Sequence, residues 1–144
     1  MKLEILVSAV NEDVDTLAER MNLQADAVIV NQCGENTYKE YRYQEHRIRC
    51  YSFAERGVGL SRNNCLMRAE GDICLFADED IIYRPGAVRA IEAEFVKNPG
   101  ADMILFNMEV PQDRATYHID GYGRVRWYNC GRYPTYSFAA KTEK

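Results

Sequence analysis

Three acids in a row, Asp78-Glu79-Asp80, follow the apolar run Ile73-Cys74-Leu75-Phe76-Ala77. Such a run reads as a buried strand, and ligands of open α/β sheets gather outside the carboxyl ends of the strands. Adjacent carboxylates repel one another unless positive charge sits among them. A divalent cation with phosphate oxygens supplies that charge. Hard carboxylate oxygens select Mg²⁺ or Mn²⁺, which bind through one or two carboxylates plus the phosphates of a substrate. The competing reading is a solvated acidic turn that caps the next helix.

A second group is Gly57-Val58-Gly59-Leu60-Ser61-Arg62-Asn63. It follows a strand and opens a helix, so its backbone amides can face an anion. Read as a dinucleotide fingerprint, it needs a third small residue where Arg62 stands, and it follows the third strand, not the first; Asp78 does lie about twenty residues on. In the other functional reading, Arg62 reaches a phosphate or pairs with the acids. The ordinary reading is a Gly-rich turn with a solvated Arg62. A third group joins the end of one strand, Ser8-Ala9-Val10-Asn11-Glu12, to the end of the next, Val30-Asn31-Gln32-Cys33. Its amides and hydroxyl suit the reading of a nucleobase, although each segment alone is ordinary loop chemistry.

The elements that must position these groups follow from periodicity. Leu3 to Val10 reads as a buried strand. Val14, Leu17, Ala18 and Met21 mark one face of a helix that Asn11 or Asp13 can cap. Ala25 to Val30 is a second strand, Asn31 to Gln44 a polar loop, and Arg47 to Phe53 a strand with one wetter face. A helix from Leu60 to Ala69 ends at Gly71. Ile73 to Ala77 is a strand, Pro85 starts a helix that Asn98-Pro99-Gly100 stops, and Asp102 to Met108 is a further strand. Alternating strands and helices imply a mostly parallel α/β sheet covered on both faces. Thr116 to Ile119 and Arg124 to Tyr128, around Asp120-Gly121-Tyr122-Gly123, read as a C-terminal β-hairpin, with Tyr133 to Ala140 as one more strand. The 144 residues are expected to form one domain, 1–144, with a core at 1–110 and a hairpin and tail at 111–144.

The composition excludes several classes. A net charge of −4 argues against a nucleic-acid binder. No apolar run is long enough to cross a bilayer, and Met1-Lys2-Leu3-Glu4 lacks the pattern of a secretory signal. Five cysteines without a CxxC pair read as reduced thiols of a cytoplasmic protein, several buried in strands. The histidines, His46 and His118, suggest no catalytic triad.

Taken together, Ile5 to Asn11, Val28 to Gly34, Gly57 with Arg62-Asn63, and Gly71-Asp72 through Asp78-Glu79-Asp80 resemble the family 2 glycosyltransferases. Their pattern is a "GLSxxRN" helix leading into "GDxxxxxDxD". The resemblance covers roughly residues 3 to 110 and implies a GT-A (Rossmann-like) fold. It also implies an inverting transfer of sugar from a nucleotide-diphosphate sugar, most simply a UDP-sugar, to a glycan or lipid-linked acceptor hydroxyl. Such transfer serves polysaccharide or glycoconjugate synthesis, of the cell-wall or capsule kind. By that resemblance Val10, Asn11 and Glu12 border base and ribose, and Asn31 or Gln32 takes the base-reading position. Arg62 lies near base and phosphates, Asp78 contacts the ribose, and Asp80 ligates Mn²⁺ or Mg²⁺. Inverting members carry their general base well after the DxD. None of Glu92, Glu94, Asp102, Glu109, Asp113, Asp120 and Glu143 sits in such a motif. The chain is therefore expected to be truncated before that region, which leaves the catalytic residue unknown and a non-catalytic nucleotide-sugar-binding fragment as the alternative. Peripheral membrane contact would follow from a lipid-linked acceptor, but no basic amphipathic helix supports it.

Overall fold

The structure is a computed structural model that describes residues 1–109, 121–126, 128 and 133–142. Its centre is β1 (Leu3–Val10), apolar on one face, carrying Glu4 and Ser8 on the other, and buried over all but its last residue. Burial on both sides is what a near-continuous apolar run requires, and only the middle of a covered parallel sheet provides it. Parallel neighbours flank it: β2 (Asp26–Gln32) on one side and β5 (Ile73–Asp78) on the other. β4 (His46–Phe53) continues the parallel set beside β2. Two antiparallel edges complete the sheet. β3 (Thr37–Tyr43) pairs with β4; beyond β5 come β7 (Phe138–Lys141) and then β6 (Met103–Leu105). The order is β3-β4-β2-β1-β5-β7-β6.

Helices cover both faces, as the alternation of elements predicts. α1 (Val14–Met21) and α3 (Ala87–Lys97) bury Leu17, Met21, Val88, Ile91 and Phe95 against Ile5, Val7, Ile29 and Ile73. α2 (Val58–Met67) lies on the opposite face, where Cys65 packs with Leu6, Val28, Val30 and Cys74. Asp13, not Asn11, caps α1 by accepting from the Asp15 amide. α2 begins at Val58, two residues before the expected Leu60. α3 begins at Ala87 behind Gly86, so Pro85 precedes the helix. Cys50, Cys65 and Cys74 are buried free thiols, each pushed up to about 12 by burial, which suits packing and not nucleophilic chemistry.

Several expectations are corrected. The polar stretch 31–44 contains β3, which turns into β4 through Gln44 and Glu45, both left-handed at φ 45° and 73°. Two successive positive φ values make the tight turn that matches strand twist, normally marked by Asn-Gly, so this hairpin has no sequence signal. The strand expected at 102–108 spans only Met103–Leu105. In the expected strand from Tyr133, Thr135–Ser137 forms a 3₁₀ turn before β7. Of the expected hairpin, Thr116 to Ile119 lies outside the described residues, and 124–126 carries no strand.

Gly71 does not end α2, which is capped at Arg68. Its role is packing: a Cβ there would meet the Glu4 Cβ at 2.7 Å and backbone atoms at 3.0 and 3.1 Å. The same Glu4, 2% exposed, accepts from Arg49 at 2.7 Å and from the amides of Glu70 and Gly71 at 2.6 and 3.0 Å. A buried carboxylate is tolerated only with such full pairing. Arg49→Met should therefore lower unfolding free energy by about 3–5 kcal/mol in urea denaturation, because it strands the buried charge. Gly71→Ala should cost about 1–3 kcal/mol by overpacking the same point. Unchanged midpoints for both would contradict this account.

Candidate functional site

The order of parallel strands reverses at β1, with β2 and β4 laid down on one side and β5 on the other. Ligands of open α/β sheets bind outside the carboxyl ends of the strands near such a reversal. Register places the side chains around it. Val10 pairs with Gln32, Gln32 with Phe53, and Ser8 with Asp78. Side chains alternate faces along a strand. Val10, Gln32, Phe53 and Asp78 thus share the face covered by α2, as Leu6, Val28 and Cys74 do below them. Ser61 of α2 donates to Ser8 beneath this row at 3.2 Å.

Arg62, one helical residue on, meets Asp78 at 3.3 Å, with both side chains about a third exposed. Of the two functional readings of Arg62, the structure takes the pairing with the acid cluster. Asp80 lies beyond the strand and is exposed. Burial raises the Glu79 carboxyl, and the charges of Glu12, Asp80 and Asp78 raise it further. Four carboxylates thus lie near this rim, Asp78 paired with Arg62 and Glu12 with Arg20. Hard oxygen donors in excess negative charge fit a divalent ion. Among the described residues, no group of three or more His, Cys, Asp or Glu side chains comes together so as to hold a metal ion by itself.

The other sequence-predicted residues divide by role. Asn11 is exposed and left-handed at φ 50°, and its amide donates to the Gln32 carbonyl at 2.9 Å. This turns the chain from β1 toward α1. Glu12 follows and pairs with Arg20 at 2.6 Å. Asn31 is buried, and both ends of its amide are occupied: Oδ1 accepts from the Glu12 amide at 3.1 Å and Nδ2 donates to the Glu12 carbonyl at 3.0 Å. Gln32 is buried as well, and its Oε1 accepts from the Gly57 amide at 2.7 Å. The Gly57 amide is therefore already engaged, which removes the leading donor from a dinucleotide fingerprint at this turn. Gly57 has φ 147°, a value that favours glycine.

Sequence reasoning missed Phe53, because only the register shows that it shares the row with Gln32, and it quoted Ser61 without seeing that α2 sets it on Ser8. Phe53 stacks on Tyr51 at a centroid distance of 6.4 Å, and the Arg68 guanidinium lies 5.1 Å over its ring. Glu92 and Glu94, both on α3, are remote from the row. Glu92 lines a groove of about 680 Å³ at the opposite end of the sheet, with Lys2, Asp26, His46 and Arg89. Glu94 pairs with Lys97, and Glu109 pairs with Arg84. Among the described residues, no helix is long and apolar enough to cross a membrane.

Comparison with known proteins agrees with this architecture. The crystal structure of S. aureus TarS 1-349 is similar over 99% of this chain and 47% of that one, at 18% identity and a TM-score of 0.64. TarS 1-349 in complex with UDP-GlcNAc is similar over 81% of this chain and 39% of that one, at 18% identity and a TM-score of 0.56. The complex of TarS 1-349 with UDP gives 22% identity and a TM-score of 0.54 over 81% of this chain and 40% of that one. The chain thus spans less than half the length of these structures. No curated protein sequence matches it. The mostly parallel sheet with helices on both faces is the GT-A arrangement that the resemblance implies. The model of glycosyl transferase family 2 matches residues 5–138, and the chain belongs to that family.

Proposed function

We propose that the chain binds a nucleotide-diphosphate sugar, most simply a UDP-sugar, across the carboxyl ends of β1, β2 and β5. We further propose that it contributes the donor half of an inverting sugar transfer to a glycan or lipid-linked acceptor hydroxyl. The observation that carries this reading is the single row of Val10, Gln32 and Asp78 facing Arg62, with the acidic rim beside it. Val10, Asn11 and Glu12 border the nucleoside, and Asp78 contacts the ribose. Arg62 leaves Asp78 part-exposed and turns toward the diphosphate, whose charge it complements.

Asp80 would hold Mn²⁺ or Mg²⁺ together with phosphate oxygens of the donor. Bound Mn²⁺ or Mg²⁺ stabilises the charge that develops on the departing nucleoside diphosphate. In the reaction, an acceptor oxygen bonds to the anomeric carbon as the bond from that carbon to the β-phosphate oxygen breaks. The acceptor's proton leaves to a base. Among the described residues, the acids after Asp80 lie away from the row or are paired elsewhere. Asp113, Asp120 and Glu143 lie outside the described residues. The second reading is a nucleotide-sugar-binding fragment that binds the donor without transferring the sugar. Synthesis of cell-wall or capsule polymers at the cytoplasmic face of a membrane is the setting this chemistry fits.

Calorimetry with UDP tests the donor site. Binding should appear with Mn²⁺ and weaken at least tenfold when Mn²⁺ is removed or Asp80 is changed to Asn, since a charge-assisted contact is lost. Equal affinity in all three conditions would rule out the metal role. Release of free UDP from UDP-GlcNAc, with and without acceptor glycans, separates the two readings. Acceptor-stimulated release supports transfer, and tight binding with no release supports the binding fragment.

A further inference from the structure

The donor site leaves unused the groove of about 680 Å³ at the amino ends of the strands. Its volume lies within the range of small-ligand sites, about 300–1,000 Å³. One wall is tied down by side chains. Asn22 Nδ2 donates to the Tyr83 carbonyl at 2.9 Å, and Gln24 Nε2 donates to the Arg84 carbonyl at 2.6 Å. Gln24 Oε1 also accepts from the Val88 amide at 3.4 Å, which holds the start of α3 against the loop before β2. Another wall is the β3–β4 turn. It sets Gln44 and His46 in the groove through left-handed backbone at Gln44 and Glu45, neither of which is glycine or asparagine. Strained backbone of this kind persists where the surrounding structure fixes it, and it clusters at ligand sites.

The charges in the groove are mixed. Lys2 is paired with Asp26 at 2.9 Å. Arg89 and Glu92 stand three residues apart on α3, and both line the groove. Glu94 and Lys97, at the same spacing, pair at 2.9 Å. Arg89 and Glu92 do not, and among the described residues neither side chain has another partner. An anion would be attracted by Arg89 and repelled by Glu92 and Asp26, and a cation the reverse. A hydroxyl donates to a carboxylate and accepts from a guanidinium. An uncharged polyhydroxyl ligand therefore satisfies both groups together, while its C–H faces pack on the apolar lining, Leu3, Pro85 and Val88.

We propose that this groove is a second ligand site, which holds an uncharged oligosaccharide segment between Arg89 and Glu92 on one side and the Gln44–His46 turn on the other. At about 3.3 Å per residue, the strand from Leu3 to Val10 puts it about 23 Å from the acidic rim. A sugar held there is not the one that reacts. It belongs to a remote part of an acceptor chain, whose binding energy serves the distant transfer end. The link to an acceptor rests on the sugar-transfer reading of the preceding section; the site itself rests on the groove alone.

The test is a ¹⁵N–¹H NMR titration with cellohexaose and chitohexaose, and in parallel with inorganic phosphate and UDP, on the wild type, Arg89→Ala and Glu92→Ala. One or both hexasaccharides should shift the backbone resonances of residues 44–46 and 85–92. Each substitution should weaken that binding by about fivefold or more, the loss of one hydrogen bond. Melting temperature and UDP affinity should stay unchanged, since neither side chain has a partner to lose. Three results would overturn the proposal: no shift at these residues with either hexasaccharide, undiminished sugar binding by both variants, or phosphate filling the groove as tightly as sugar. UDP binding at the rim with an untouched groove would refute this inference and leave the donor reading standing. Sugar binding in the groove without UDP binding would support the site and remove its link to transfer.

Discussion

The carboxylate of Glu4 governs how the sheet is put together. It sits fully enclosed near the start of β1 and binds groups from two other parts of the chain: Arg49 of β4 and the amides of Glu70 and Gly71 before β5. Arg49 in turn donates to Glu70 and to the Arg68 carbonyl, so the end of α2 is tied to the same point. Leaving any of these groups unpaired in the interior costs far more than a surface contact gains. The network therefore has one low-energy arrangement. In it Glu4 lies opposite Cys74, and four residues further along Ser8 lies opposite Asp78. The position of the acidic rim is thus set from the far end of the strands. Gly71 belongs to the same constraint, since no larger residue fits beneath Glu4.

At the other end of the strands the polar groups serve two purposes. Some hold loops: Asn31 fixes Glu12, Gln32 fixes Gly57, and the Asn11 amide closes on β2. Others carry excess charge. Glu79 is pushed up by its own burial and by Glu12, Asp80 and Asp78, with the Arg62–Asp78 pair beside it. A rim built this way keeps its shape and carries unbalanced negative charge, which the proposed cation and phosphorylated ligand would balance.

Much of this was legible in the sequence for plain physical reasons. β1 and β5 are largely apolar runs without the one-sided spacing of a surface helix, and each leads directly into polar residues that must lie at the sheet rim. The acids and Arg62 could be placed near one another on that basis alone. The β3–β4 hairpin could not be read, because Gln44-Glu45 adopts left-handed geometry without the glycine or asparagine that normally announces it. The division of labour between Asn31 and Gln32 was also invisible. Adjacent residues on a strand face opposite sides, and only the three-dimensional partners, Glu12 for one and Gly57 for the other, tell them apart. Phe53, Ser8 and Ser61 join the site through strand register and helix packing, which leave no local pattern.

The most direct test of the central claim, that the nucleotide lies across the carboxyl ends of the strands, is hydrogen–deuterium exchange with and without UDP and Mn²⁺. Protection should rise in the segments around residues 8–12, 31–33, 57–62 and 77–80, and stay unchanged at the amino ends of the strands. Protection confined to the opposite groove lined by Lys2, Asp26, His46 and Arg89 would contradict the account, as would no change anywhere.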